Sequence, residues 1–175
     1  MDFVEGLPKS QLKSIVFVVV DRLTKYVRFI PLPHPYTATK VAHLFTQFVF
    51  KLHGMPSTIV SDKDPVFTSK FWFELMKLQG INLALSSSYH PQSDGQTEVV
   101  NKSLEHYLRA FAADKPQSWV DWLPLTEFWY NTNFHTSLKL TPFEALYVYP
   151  PPKVLEYVLG STRVAVVDSL LRDRQ

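Results

Sequence analysis

The sequence predicts an α/β domain built on a mixed sheet with helices on both faces. Three observations carry that expectation. Ser14 to Leu23 (S-I-V-F-V-V-V-D-R-L) is β-branched and almost continuously apolar, as suits a strand buried on both faces. Apolar residues recur at helical spacing behind Thr37, after Ser69 and again beyond Glu98. The elements follow in the order β-β-β-α-β-α-β-α-α, with antiparallel strands first and alternating helix and strand afterwards.

Taken in order, residues 1–6 read as the end of a strand, broken at Gly6-Leu7-Pro8. Ser14–Leu23 and Tyr26–Leu32 make a hairpin, which Pro31, Pro33 and Pro35 should stop. Thr37 is placed as an N-cap for a helix whose inner face is Val41, Leu44, Phe45, Phe48, Val49 and Leu52, ending at Gly54. Ser57 to Ser61 is a short strand ending in Asp62, and Lys63-Asp64-Pro65 turns the chain. Ser69 to Leu78 is a second amphipathic helix closed by Gly80, and Asn82 to Ser86 is another short strand. From Tyr89 the chain has loop chemistry, becoming a helix at about Gln96 that runs to about Ala113. Trp119 to Thr132 follows Lys115-Pro116, and Thr141-Pro142 starts a short helix with proline at its favoured first position. Pro150-Pro151-Pro152 closes the compact part. Residues 1–152 are therefore expected to be one core domain, and 153–175 a tail or the start of a linker helix.

The chain of 175 residues is long enough for one domain that buries roughly 70% of its unfolded surface. Apolar residues make up 46% of it, which excludes a disordered chain. The longest aliphatic-aromatic run, Ile15 to Val20, falls far short of the ~20 residues that cross a bilayer. No basic-then-apolar leader opens the sequence, so no secretory signal is expected. Without cysteine there is no disulfide, thiolate zinc site or cysteine nucleophile. A net charge of +2 permits nucleic-acid binding only through a local patch.

The chemistry gathers around two acids. Asp62 closes a strand and Glu98 opens a helix, which are the places where α/β proteins put ligand-binding groups. Carboxylates meeting in a cleft repel one another unless cations intervene, and hard oxygen ligands favour Mg²⁺ or Mn²⁺. Two such ions about 4 Å apart could activate an attacking oxygen and stabilise the leaving oxygen of a phosphodiester. Counting three, four and eleven positions on from Glu98 gives Asn101, Lys102 and Arg109, one polar helix face with two cations suited to phosphates and an amide suited to a base edge or sugar. Val100, Leu104, Tyr107, Leu108 and Phe111 make the opposite, core-facing stripe. Blander readings stand beside these. An aspartate after a strand is commonly a turn or cap residue, as Asp64 and Asp94 are taken to be, and His90 before a proline is commonly a loop residue. Trp119, Trp122 and Trp129 fit one buried helix face better than a base-stacking platform.

I-V-S-D-K-D-P-V-F (Ile59 to Phe67) and Y-H-P-Q-S-D-G-Q-T-E-V-V-N-K (Tyr89 to Lys102), with thirty-five residues between Asp62 and Glu98, resemble the DDE integrase core. M-D-F-V-E-G-L-P (Met1 to Pro8), V-V-V-D-R-L-T-K-Y (Val18 to Tyr26), K-L-H-G-M-P (Lys51 to Pro56) and T-P-F-E-A-L-Y (Thr141 to Tyr147) are similar to stretches of gypsy-class LTR retrotransposon integrases, particularly plant ones. The resemblance implies an RNase H-like fold, a five-stranded mixed sheet flanked by helices. It implies divalent-metal-dependent 3′-end processing and strand transfer of element DNA into host DNA, with two Mg²⁺ or Mn²⁺ ions held by Asp2, Asp62 and Glu98. Ser88 to Gly95 becomes the active-site loop, with Tyr89 and Gln92 as candidate DNA contacts beside Asn101, Lys102 and Arg109. Element-end and target DNA are the implied partners, acted on by a homo-oligomer in the nucleus after passage through cytoplasmic particles; no membrane or small-molecule cofactor is implied.

Two departures qualify the resemblance. The sequence begins one residue before Asp2, so the first strand is expected to be cut short and Asp2 to sit on a frayed end. Val148-Tyr149 stands where relatives usually have Gly-Arg, which removes a cation. The alternative expectation is a decayed or domesticated integrase fragment that binds nucleic acid without catalysis. A cellular RNase H of the same fold suits the loop and acid spacing less well.

Overall fold

The computed structural model describes residues 1–86, 91–113, 115–152 and 158–172, with 91–94 described by their backbone alone. Strands β1 (Asp2–Val4), β2 (Ile15–Val20) and β3 (Val27–Leu32) form an antiparallel sheet in the order β1-β2-β3, and β4 (Thr58–Ser61) and β5 (Asn82–Leu85) form a parallel pair. The expected single five-stranded sheet is thus corrected to a three-stranded and a two-stranded sheet among the described residues. The reason lies at the seam. The Met1 ammonium donates to the carbonyl of Val60 at 2.7 Å, and one bond does not make a ladder. The two sheets nevertheless share a core, since Ile15, Phe17, Ile30 and Leu32 of the first pack in one cluster with Ile59 of the second.

Side chains alternate across a strand, so a strand with no polar residue needs cover on both sides. Strand β2 meets that demand. Ile15 and Phe17 point into one core with helices α1 (Ala38–Phe45) and α3 (Lys70–Leu78), through Val41, Phe45, Trp72 and Met76. Val16 and Val18 point into a second core with α4 (Pro91–Phe111) and α5 (Trp119–Thr132), through Val100, Leu104, Leu108, Trp119 and Leu123. Helices therefore lie on both faces, as expected. Trp119 is buried, while Trp122 and Trp129 are partly buried against the same core. Phe111, expected inside, is exposed and stacks on Trp122 at 5.8 Å.

Local chemistry sets the helix ends. The Thr37 hydroxyl accepts from the Lys40 N–H, and the Ser69 hydroxyl from the Trp72 N–H. Beyond α1 the helix widens into a π-helical turn (Thr46–Phe50), continues as α2 (Lys51–His53), and stops at Gly54 with φ 75°. Helix α4 starts at Pro91, not at Gln96, so Ser93, Asp94 and Gly95 belong to the helix and not to a loop; a proline at the first helical position permits this. Helix α6 (Pro142–Tyr147) opens on a reciprocal capping box between Thr141 and Glu144. Its end shows what the Val148 departure costs. Val148 takes the left-handed conformation (φ 65°, ψ 14°) and donates its N–H to the Glu144 carbonyl, a position that favours glycine over a β-branched residue. In the tail, α7 (Ala165–Arg172) carries an Arg172–Asp168 pair. Among the described residues no helix is long and apolar enough to cross a membrane.

Pro31 lies inside β3, paired with Val16, where the sequence suggested a stop. The outward backbone groups of this edge explain it. Asn131 on α5 accepts from the Val27 N–H and donates to the Val27 carbonyl, and the Glu127 carboxylate accepts from the Phe29 N–H. Pro31, next in that alternation, has no N–H to satisfy. Arg28 pairs with the same Glu127 at 2.6 Å. Helix α5 thereby seals the sheet edge with side chains, not with another strand.

Two outcomes follow. Asn131→Ala leaves the Val27 N–H and C=O unpaired in a buried place and costs about 1–3 kcal/mol for each group, read as a lower urea midpoint at unchanged slope. Val148→Gly relieves a left-handed valine that is 89% exposed and packs little. It should stabilise the fold by about 1 kcal/mol, read as a higher Tm.

Candidate active site at the sheet seam

The first acid is held by two elements. Asp2 opens β1, paired with Val18, and its Oδ1 accepts from the Phe3 N–H at 2.8 Å. Its Oδ2 accepts from Asn101 Nδ2 on α4 at 2.7 Å. The expected frayed end is corrected accordingly: Met1 is 7% exposed, bonded to Val60, and Asp2 is half-buried within the ladder.

Asp62 directly follows β4, and its Oδ1 accepts from the Asp64 N–H at 3.2 Å. The carboxylate that was a candidate ligand thus also shapes its own turn. The seam bond relates it to the first acid, since Asp2 follows Met1 by one position and Asp62 follows Val60 by two. Asp64 Oδ1 accepts from the Val66 N–H, and its Oδ2 lies 3.1 Å from the Tyr36 hydroxyl. The same hydroxyl is 3.1 Å from Glu5 Oε1, just beyond β1. Burial first, then the two carboxylates, hold this phenol well above its usual pKa. Tyr36 therefore ties the Asp62 turn to the exit of β1. Nothing in the sequence around Tyr36 signalled this, because the three partners are far apart in the chain.

Glu98 lies one helical turn before Asn101, on the same face of α4. Its carboxylate is exposed and pairs with Lys102 at 2.7 Å. The Lys102 hydrogen bond, and then its charge, hold the Glu98 pKa below the usual carboxylate value. Lys102 is raised by the same contact. Asn101 faces Asp2, so its amide nitrogen is engaged within the site, and its buried Oδ1 has no hydrogen-bond partner among the described residues. Arg109 is exposed further along α4, about 10 Å beyond Lys102 by helical rise. Tyr89 and the side chain of Gln92 lie outside the described residues.

The structure therefore joins Asp2 to Asn101 directly and brings Asp62 to the same seam, while Glu98 turns to Lys102. Among the described residues no three His, Asp or Glu side chains are gathered as metal ligands. The donor chemistry still fits a hard divalent cation. The three acids offer carboxylate oxygens, and a neutral buried oxygen of Asn101 sits beside Asp2. An exposed pair four residues apart on a helix is weak, so Glu98 can leave Lys102 at little cost.

Residues 1–91 match the family described as "Integrase core domain". The chain is 37% identical over 151 residues to the Transposon Tf2-3 polyprotein of Schizosaccharomyces pombe, and equally to the Tf2-4 polyprotein. The match covers 86% of this chain and spans 11% of the length of those polyproteins. Among solved structures, the HTLV-2 integrase catalytic core domain in complex with magnesium, in a trimeric form, superposes with a TM-score of 0.64 at 18% identity, over 82% of this chain and 93% of that one. The catalytic core domain of BIV integrase gives 0.63 at 24% identity, over 84% and 93%. A simian T-cell lymphotropic virus intasome in complex with PP2A regulatory subunit B56 gamma gives 0.66 at 19%, over 93% and 59%. The fold is therefore the RNase H-like α/β fold of retroviral integrase cores.

Lys102→Ala removes the donor that depresses Glu98. The Glu98 carboxylate should then titrate at higher pH, back toward its usual value, in a carboxylate-detected NMR titration, while Glu144, held low by its own capping box, stays where it is.

Proposed function

This chain belongs to the integrase core domain family found in retroelement polyproteins, and on that premise we propose that it is the catalytic core of a gypsy-class LTR-element integrase. The plant-like wording of its motifs suggests the kind of element. The proposed reaction is 3′-end processing and strand transfer of element DNA into host DNA. One observation carries this reading more than any other: Asn101 on α4 bonds Asp2 on β1, while the Met1–Val60 bond brings the Asp62 turn to that strand.

In this reading Asp2, Asp62 and Glu98 hold two Mg²⁺ or Mn²⁺ ions. Bound divalent ions supply Lewis-acid stabilisation for an in-line attack on a phosphodiester. The chain's own groups position the parts. Asn101 orients the Asp2 carboxylate. Tyr36 and Asp64 brace the turn that carries Asp62. When Glu98 turns inward, Lys102 is released to meet a phosphate, and Arg109 meets another further along the backbone. Tyr89 and Gln92 are proposed as additional DNA contacts. The partners are element-end and target DNA, and a homo-oligomer is proposed because similar integrase cores are described in dimeric and trimeric forms. A nuclear location, after cytoplasmic particles, belongs to the same proposal.

A second reading is a decayed core that binds nucleic acid without chemistry. The Glu98–Lys102 pair favours it, since it engages the third acid in an exposed ion pair. Incubating the chain with element-end DNA, a target plasmid and Mn²⁺ separates the two. The integrase reading expects strand-transfer products, reduced by about 10²-fold or more in Asp62→Asn and in Glu98→Gln. Products that survive both substitutions would sink the triad. DNA binding with no products from any version would favour the decayed core.

A further inference from the structure

The outermost strands of the two sheets are finished differently. At β3 the outward backbone groups meet Asn131, Glu127 and a proline. At β5 no strand or side chain among the described residues takes that place. Strand residues alternate in the side to which their N–H and C=O point. The Asn82 and Ser86 N–H groups donate to the Ser57 and Ser61 carbonyls, so the even-numbered residues of β5 face β4. Leu83 and Leu85 therefore turn their N–H and C=O groups to the open side. No charge or proline lies between Ile81 and Ser86 to blunt this edge. Leu85 is 47% exposed. Helix α3 links β4 to β5 and buries Trp72 and Met76. Parallel strands joined by a helix take a right-handed crossover. In that hand the residue about 100° on from Trp72 lies on the outer, β5 side of the helix. It is Phe73, 55% exposed.

We propose that β5 pairs with β5 of a second copy of this chain, antiparallel about a two-fold axis at Ala84. Parity favours this occupant. Leu83 then lies opposite Leu85 of the second copy, and both are outward residues. Each such pair exchanges two backbone bonds, and Ala84 meets its own counterpart as the non-bonded pair between them. No charge on either strand opposes the contact. Helix spacing favours it too. The axis is normal to the sheet, so both α3 helices stay on one face. Each covers two strands, which sets the two helix axes two strand spacings apart, about 10 Å, the distance at which helices pack. Phe73 of each copy fills the space between them, and Leu85 is covered. The contact is small, on the order of the 1,200 Å² at the weak end of specific interfaces, so it forms at high protein concentration. It gives a surface to the homo-oligomer of the integrase reading, but it rests on the β5 edge alone.

Neither DNA nor metal enters the test, so its failure leaves the integrase reading standing. The sequence has no cysteine, so a single introduced cysteine in the full chain reports the register. In the proposed pairing Ala84 lies about 4.5 Å from its counterpart, Cα to Cα, within disulfide reach. Asn82 is exposed on the same face but lies about 13 Å from its counterpart along the strand. Under mild oxidation Ala84→Cys should cross-link about tenfold faster than Asn82→Cys, or more. Sedimentation equilibrium of the unmodified chain should show monomer and dimer in exchange. Leu85→Pro removes an outward N–H that β4 does not use, and should weaken the dimer by about tenfold or more. The cysteine comparison stands even where the proline variant fails to fold. Equal cross-linking of the two cysteines would overturn the proposal. So would a chain that stays monomeric up to about 1 mM, or a dimer undiminished in a folded Leu85→Pro.

Discussion

Burial of β2 on both faces is the constraint on which the rest of the molecule depends. Ile15 to Val20 has no polar side chain, so neither face can be left to water. One face requires α1 and α3, the other α4 and α5, and the two cores that result fix the helices relative to the strand. Helix α4 is therefore positioned by Val100, Leu104 and Leu108 on its inner side. Its polar side is delivered to β1 as a consequence, and Asn101 meets Asp2 because the apolar stripe beneath has already set the rotation of the helix.

The polar groups of the site each have a local partner. Asp2 takes the Phe3 N–H and the Asn101 amide, Asp62 takes the Asp64 N–H, and Glu98 takes Lys102. These donors hold each carboxylate in place. They also differ in strength of hold. Asp2 and Asp62 are half-buried and bonded to backbone, whereas Glu98 is exposed and held by one flexible lysine. The third acid is thus the adjustable member, and the first two are part of the framework.

Much of this layout was legible in the chain. The uninterrupted apolar run announced a strand covered on both sides, Thr37 and Ser69 announced helix starts, and the stripe opposite Glu98 announced the face of α4 that packs, Phe111 excepted. Other features were not legible because their cause is non-local. Pro31 looked like a strand stop, yet Asn131 and Glu127, about a hundred positions away, define an edge on which a missing N–H costs nothing. Asn101 looked like a residue for a base edge, and its contact with Asp2 depends on how α4 docks. The joining of Tyr36, Glu5 and Asp64 has no sequence signature at all.

The sequence by itself determined the α/β class, the two-sided central strand, the acids and their spacing, and the family to which the motifs belong. Those properties rest on side-chain period and residue type, which are local. Only the tertiary structure decided that the strands divide into two sheets, that Asp2 and the Asp62 turn share a seam bridged by Met1 and Val60, and that Asn101 meets Asp2. Such outcomes depend on which backbone groups find a partner across the fold, and hydrogen bonds between strands are set by register and neighbours that no stretch of sequence specifies alone.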